Sequence, residues 1–147
     1  MELSKRKAAE ADLQHLALMN QNLIRDEGSR NPMSIEQLQD RMAEWMAGEW
    51  EIEIVQTADA IIGYAVYQTR TDDLHPHESY IHLRQFYIGR EYRSNGYGAK
   101  ALHLLLNHSF PLGAKVTIDV LASNPRGYQF WSKVGFEPDY THMKLTT

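Results

Sequence analysis

Ile81-His82-Leu83-Arg84-Gln85-Phe86-Tyr87-Ile88-Gly89-Arg90-Glu91-Tyr92-Arg93-Ser94-Asn95-Gly96-Tyr97-Gly98-Ala99 is the stretch on which the reading of this chain turns. Its first part is dense in β-formers, and the segment after it is a Leu-rich helix, with Leu102, Leu104, Leu105 and Leu106, whose buried face is Gly98, Ala101, Leu102 and Leu105. Arg93 to Ala99 is therefore a polar, glycine-containing loop at a strand-to-helix junction. Glycines let the backbone approach a ligand closely, and the first N–H groups of the helix have no partner within it. The positive end of the helix dipole, with Arg93, makes a phosphate or pyrophosphate the natural guest. The strand before the loop changes parity: Ile81 and Leu83 set an odd-numbered apolar face, whereas Phe86 and Ile88 lie on even positions. A β-bulge within the strand produces that shift.

Working toward the N-terminus, Asp72, Asp73, His75, Pro76 and His77 mark a surface loop over 71–78. Ile61 to Thr69 reads as a strand, hairpinned through Thr57-Ala58-Asp59 to an alternating strand with Trp50, Ile52 and Ile54 on one face. Glu49, Glu51 and Glu53 then form its other, solvated face. Two amphipathic helices precede it. One carries Leu13, Leu16, Ala17, Leu23 and Ile24, with Asn20 as a polar interruption, and ends near Gly28. The other is opened by Ser34 with Gln37 in capping-box position, and Gly48 stops it. Glu2 to Lys7 reads as a short edge strand. Toward the C-terminus, Val116, Ile118 and Val120 make a strand, and Pro125 to Val134 a short helix capped by Asn124. Gly135 ends that helix, and Tyr140 to Thr146 reads as a terminal strand.

The 147 residues suit a single domain spanning 1–147, with ordinary hydrophobic (43%) and charged (23%) fractions. No run approaches a membrane span, and the N-terminus lacks the apolar core of a signal peptide, so no membrane association is expected. Without cysteine there is neither a disulfide framework nor a thiol nucleophile, which is compatible with a reducing, cytoplasmic setting. A net charge of −4 argues against nucleic acid as a partner and favours a cationic or neutral substrate. The histidines, His75-Pro76-His77 and His103…His108 among them, lack an i, i+4 ligand pair, so no metal is expected.

Leu83 through Ala99 resembles the central motif of the GNAT acyl-CoA N-acyltransferases, an apolar strand followed by Arg/Gln-x-x-Gly-x-Gly/Ala opening a helix. Asn124 through Phe130-Trp131-Ser132-Lys133-Val134-Gly135-Phe136 resembles that family's second signature, and the order of segments fits along nearly the whole chain. The resemblance implies a mixed α+β (α/β) domain whose central mixed, mostly antiparallel sheet is splayed at the bulged strand, with helices on both faces. It also implies acetyl-CoA as the acyl donor, wedged in the splay. Backbone groups of Phe86, Tyr87 and Ile88 would pair with the pantetheine arm. The N–H groups of Arg93, Ser94, Asn95, Gly96, Tyr97, Gly98 and Ala99 would hold the pyrophosphate. Asn124, Tyr128 and Trp131 would flank the thioester.

Acyl transfer from a thioester to an amine requires a deprotonated amine, a polarised carbonyl, alignment, and a proton for the departing thiolate. A free backbone N–H at the bulge, such as that of Ile88, suits the developing oxyanion. Where the family commonly has a Tyr able to protonate the thiolate, this chain has Trp131, which cannot act as an acid. Tyr128, three residues earlier on the same helical face, can replace it or simply pack against CoA. Glu78, His82 and Asp119 are the candidates for the base; His82 has the suitable neutral-range pKa, and a satisfied structural histidine is the competing reading. Asp26 and Glu27, in the connection between the first two helices, can hold a cationic acceptor or pair with neighbouring arginines. Two other functions compete with an N-acetyltransferase acting on a small-molecule or peptide amine. One is a non-catalytic CoA-binding sensor. The other is a nucleotide-binding protein, although the loop lacks both the P-loop ending and the dinucleotide glycine pattern. An edge strand and the Trp-rich segments leave room for a homodimer.

Overall fold

The computed structural model describes residues 2–147, and its sheet runs in strand order β1-β2-β3-β4-β5. β1 is Ser4–Lys7, and a short 3-10 turn, Glu10–Asp12, leads into α1, Leu13–Glu27. α2 is Ile35–Ala47, β2 Glu51–Gln56, β3 Ile61–Thr71 and β4 Ser79–Ile88. A 3-10 segment, Arg90–Asn95, precedes α3, Tyr97–His108; β5 is Val116–Thr117 and α4 Pro125–Lys133. The first four strands are antiparallel in sequence order, and β5 joins β4 in parallel. The fold is thus a mixed α+β domain with an open, mixed sheet. Among the described residues no helix is long and apolar enough to cross a membrane.

Local signals act where the residues place them. Ser34 Oγ accepts from the Gln37 N–H while Gln37 Oε1 accepts from the Ser34 N–H, a reciprocal cap for α2. Asn124 caps α4 through the Gly127 N–H. α1 stops at Gly28, whose φ of +65° closes the helix in the left-handed region. The faces of the sheet carry separate cores. α1 and α2 bury Leu16, Leu23, Met42 and Trp45 against Ile52, Ile54, Tyr64, Val66 and Tyr87. α3 buries Leu102 and Leu105 against Ala65, Tyr67, Ile81 and Leu83.

The parity shift in β4 is a bulge. Val66 pairs with Gln85 but Tyr67 pairs with Leu83, so Arg84 is the inserted residue. It returns Phe86 and Ile88 to the α3 face that Ile81 and Leu83 occupy.

Three expectations differ. Residues 140–146 form no strand: Tyr140, Met143 and Leu145 stand exposed, because the two-residue β5 offers no edge long enough to template a ladder. The strand expected over Val116, Ile118 and Val120 shortens to Val116–Thr117 for the same lack of paired backbone. Glu53 is not on a solvated face but only 4% exposed. Its carboxylate accepts from Lys5 Nζ at 2.8 Å and the Tyr67 hydroxyl at 2.6 Å, which compensates its desolvation.

Candidate active site

The splay in the sheet follows from how briefly β5 stays with β4. Pairing covers only Ile81–Val116 and His82–Thr117, after which the chain diverges toward Asn124 and α4. Between Leu83 and Ile88 the outer edge of β4 therefore has no strand beside it. Which backbone groups face this gap follows from the alternation of an antiparallel ladder. The Gly89 N–H donates to the Ile62 carbonyl, and the register places Tyr87 opposite Tyr64 and Ile88 opposite Gly63. Tyr87 and Gln85 thus spend their backbone groups on β3, while Phe86 and Ile88 turn theirs toward the gap. Of the three residues expected along a pantetheine arm, Phe86 and Ile88 have the right direction. Tyr87 does not, and its ring is buried under α1 and α2.

Beyond the gap the chain reaches the glycine loop. Gly96 has φ +77° and no heavy atom within 4 Å of where a Cβ would sit, so the backbone is left-handed and open at this point. α3 has no side-chain cap, and the first helical bond runs from the Lys100 N–H to the Gly96 carbonyl. The N–H groups of Tyr97, Gly98 and Ala99 are left without an intrahelical acceptor. An oxyanion fits that arrangement.

The side chain of Arg93 behaves differently from the expectation. Its Nε donates to the Ile88 carbonyl at 2.7 Å, its Nη2 pairs with Asp26, and its guanidinium lies 5.4 Å from the Tyr87 ring centroid. Asp26 also accepts from Arg90 Nη2 at 2.6 Å. Burial pushes the Asp26 carboxyl up, but the two guanidiniums outweigh it and hold it below the usual carboxylate range. Both Asp26 oxygens are thus spent on arginines of the loop rather than left for an acceptor amine. Burial and the charge of Asp26 raise Glu27. Ser123 Oγ donates to the Glu27 carbonyl at 2.7 Å, tying the end of α1 to the segment before α4.

The expected catalytic side chains are dispersed. His82 is 8% exposed, with Nδ1 2.9 Å from Thr117 Oγ1 and Nε2 3.6 Å from Asp119. Burial, with the charges of Arg70 and Arg84, lowers its pKa against the opposing pull of Asp119, so it is neutral at pH 7. Glu78 is exposed at the far end of the β3–β4 hairpin, six residues or about 20 Å along the strand from Arg84. Tyr128 is 50% exposed on α4. Trp131 packs edge-on to Phe86, with centroids 5.5 Å apart, and to Phe130 and Phe136. This aromatic wall closes the α3 side of the gap.

One group of residues escaped sequence reasoning. The Arg84 guanidinium lies 4.7 Å from the Trp45 ring centroid and 5.3 Å from that of Trp50. Arg41 lies 4.4 Å from Trp45, and Arg70 5.6 Å from Trp50. The available signal was the bulge itself: the inserted residue is Arg84, which puts a cation at the one irregular position of β4. Among the described residues no cluster of three or more metal-ligating side chains forms.

Comparison with known proteins matches this architecture. A sequence model described as the Acetyltransferase (GNAT) family matches residues 18–136. No curated protein matches by sequence. A possible acetyltransferase from Clostridium difficile 630 is similar with a TM-score of 0.78 at 16% identity, covering 100% of this chain and 99% of that one. A predicted acetyltransferase with acetyl-CoA from Clostridium acetobutylicum gives 0.75 at 18% identity, covering 99% of this chain and 96% of that one. An aminoglycoside N-acetyltransferase in complex with CoA gives 0.76 at 13% identity, covering 99% of this chain and 95% of that one. At these identities the structural likeness is one of fold, and the family model, spanning most of the sequence, carries the assignment. The chain belongs to the GNAT family of acetyltransferases.

Proposed function

We propose that this protein is an N-acetyltransferase, moving an acetyl group from acetyl-CoA to a primary amine by direct attack. The observation that carries the reading is one continuous row of unclaimed backbone donors. It runs from Phe86 and Ile88 at the gap edge of β4 to Tyr97, Gly98 and Ala99 at the open start of α3. The row suits a long ligand with a polar amide arm at one end and a pyrophosphate at the other. When bound, such a donor supplies an activated acyl group, and the chain's residues do the rest.

The helix start holds the phosphates, so the thioester falls farther along β4, beyond Ile88. That favours Phe86 over Ile88 as the N–H facing the acyl oxygen as charge develops on it. Trp131, Phe130 and Phe136 exclude water behind it. His82 lies four residues away, about 13 Å along the strand, so the amine's proton reaches it through a chain of waters rather than by direct contact. Asp119, 3.6 Å from Nε2, stabilises the imidazolium that results. Nitrogen–carbon bond formation expels the thiolate, and the Tyr128 hydroxyl returns a proton to it. No cysteine is present to form a covalent intermediate, in keeping with a direct route. Free thiol released from acetyl-CoA on addition of a panel of amines tests the reading. Amine-dependent release supports it; CoA binding without release from any amine leaves the chain a CoA-binding sensor.

A further inference from the structure

Arg41, Trp45, Arg84, Trp50 and Arg70 form an alternating series of guanidiniums and indoles on the α1–α2 side of the sheet. The rings account for the attraction of the cations but not for their hydrogen-bonding capacity. Each guanidinium has five N–H donors in a planar fork. Among the described residues the acceptors these donors meet are Asn20 Oδ1, 3.1 Å from Arg41 Nη2, and Gln68 Oε1, 2.8 Å from Arg70 Nε. Arg84 meets none. Arg41 Nε and Asn20 Nδ2 are buried without a partner, and Asn20 is wholly inaccessible. Among the described residues, Glu53, Asp12, Glu51 and Asp26 pair with Lys5, Arg6, Lys7 and the arginines Arg90 and Arg93, and Asp119 lies beside His82; none is within 4 Å of Arg41, Arg70 or Arg84. Burial lowers both Arg41 and Arg84; the charge of Arg84 adds to this at Arg41 and that of Arg70 at Arg84, while Asp119 pulls Arg84 the other way without forming an ion pair with it.

The position of this charge matters. Arg84 is the bulge residue, exposed to solvent, and only two residues from Phe86, about 7 Å along the strand. Its side chain is long enough to hold one end of a small molecule whose other end sits at the gap. The aromatic wall blocks the α3 side, leaving the α1–α2 side as the approach. Resting on the acetyltransferase reading above, we propose that the acceptor is a carboxylate-bearing amine, such as a free amino acid. Its carboxylate is held in the fork of Arg84 with Arg41 and Arg70 around it, and its amine is directed to the acyl group. Bidentate carboxylate recognition by a guanidinium supplies the orientation that the amine needs. The local field here opposes the acidic net charge, and an acceptor meets the local field at contact distance.

Thiol release from acetyl-CoA is measured for the full chain with α-amino acids, the matching amino acid amides, and putrescine. The amino acids are expected to exceed amides and diamine at least tenfold in kcat/KM. Arg84→Gln is expected to raise the amino acid KM at least tenfold, with acetyl-CoA KM within twofold, and to erase the acid-over-amide preference. Arg70→Gln reports the same trend more weakly and serves if Arg84→Gln lowers the melting temperature. With CoA present, the free amino acid, but not its amide, is expected to change the fluorescence of Trp45 and Trp50. Equal or better turnover of amides or putrescine overturns this inference and leaves the acetyltransferase reading standing. Absence of release with every amine overturns both.

Discussion

Asp26→Asn separates two roles for the carboxylate at the end of α1. In the structure its two oxygens are held by Arg90 and Arg93, and its side chain is 12% exposed against 41% for Arg93. An ion pair that reaches solvent on one side contributes about 0.5–1 kcal/mol after screening. In a domain of this size that corresponds to a fall in Tm of roughly 1–4 °C. The sign with pH follows from the depressed carboxyl. Its stabilisation is complete above the unfolded value of about 3.9 and is lost as pH falls through the lower folded value. The gap in Tm between wild type and variant is therefore full at pH 7 and closes as pH falls below the unfolded value through the depressed folded one. If Asp26 instead held a cationic acceptor, a charge-assisted bond of about 1.5–3 kcal/mol would be lost, raising acceptor KM roughly 10- to 150-fold. Thermal melts from pH 2.5 to 7, with acceptor KM from thiol release, decide between them. The ion-pair account predicts the pH-dependent Tm gap and an acceptor KM within threefold. An unchanged Tm with a tenfold higher KM refutes it.

His82→Gln is expected to remove the acidic limb of the kcat/KM profile: in the wild type activity rises with pH through a value below the ordinary 6.5, since burial lowers His82. A limb that survives the substitution assigns the base elsewhere. Tyr128→Phe is expected to lower kcat about tenfold with CoA affinity unchanged, a modest loss because the thiolate leaves tolerably well on its own; single-turnover acyl transfer at the full rate rejects the acid. Gly63→Ala places a Cβ against the Tyr87 carbonyl oxygen and the Ile88 side chain, and is expected to cost about 2–4 kcal/mol in urea unfolding as β3 and β4 separate beside the gap. Glu53→Gln leaves Lys5 without its carboxylate and is expected to cost about 2 kcal/mol, measured the same way. Lys5, Ser109 and Tyr67 outweigh burial and hold Glu53 below its ordinary value, so this stability is present above about pH 4.3 and lost as pH falls below it.

The elements legible in the sequence were those with local chemistry. Ser34 with Gln37, Asn124 with Pro125, and Gly28 fix helix ends by bonds within a few residues, and each end lies where those residues stand. The bulge was legible because a parity change records it directly in β4. What escaped depends on partners distant in the chain. Glu53 looked solvated because alternation cannot see Lys5, 48 residues away, or the Tyr67 hydroxyl. For Asp26 the sequence left acceptor binding and arginine pairing both open, because its actual partners, Arg90 and Arg93, lie 64 and 67 residues on. Tyr140 to Thr146 reads as a strand in the sequence, yet pairing needs an edge that Val116–Thr117 does not extend. The Arg–Trp series joins α2, β3, β4 and the start of β2, so no single segment reveals it.

The central claim is that the donors of β4 and of the α3 start form one CoA-binding row. Backbone ¹H–¹⁵N spectra recorded during titration with CoA test it residue by residue. The account predicts that Phe86, Ile88, Tyr97, Gly98 and Ala99 shift, while Tyr87 and Gln85, bonded to β3, move little. Shifts confined to other segments, with Phe86 and Gly98 unmoved at saturating CoA, would contradict it.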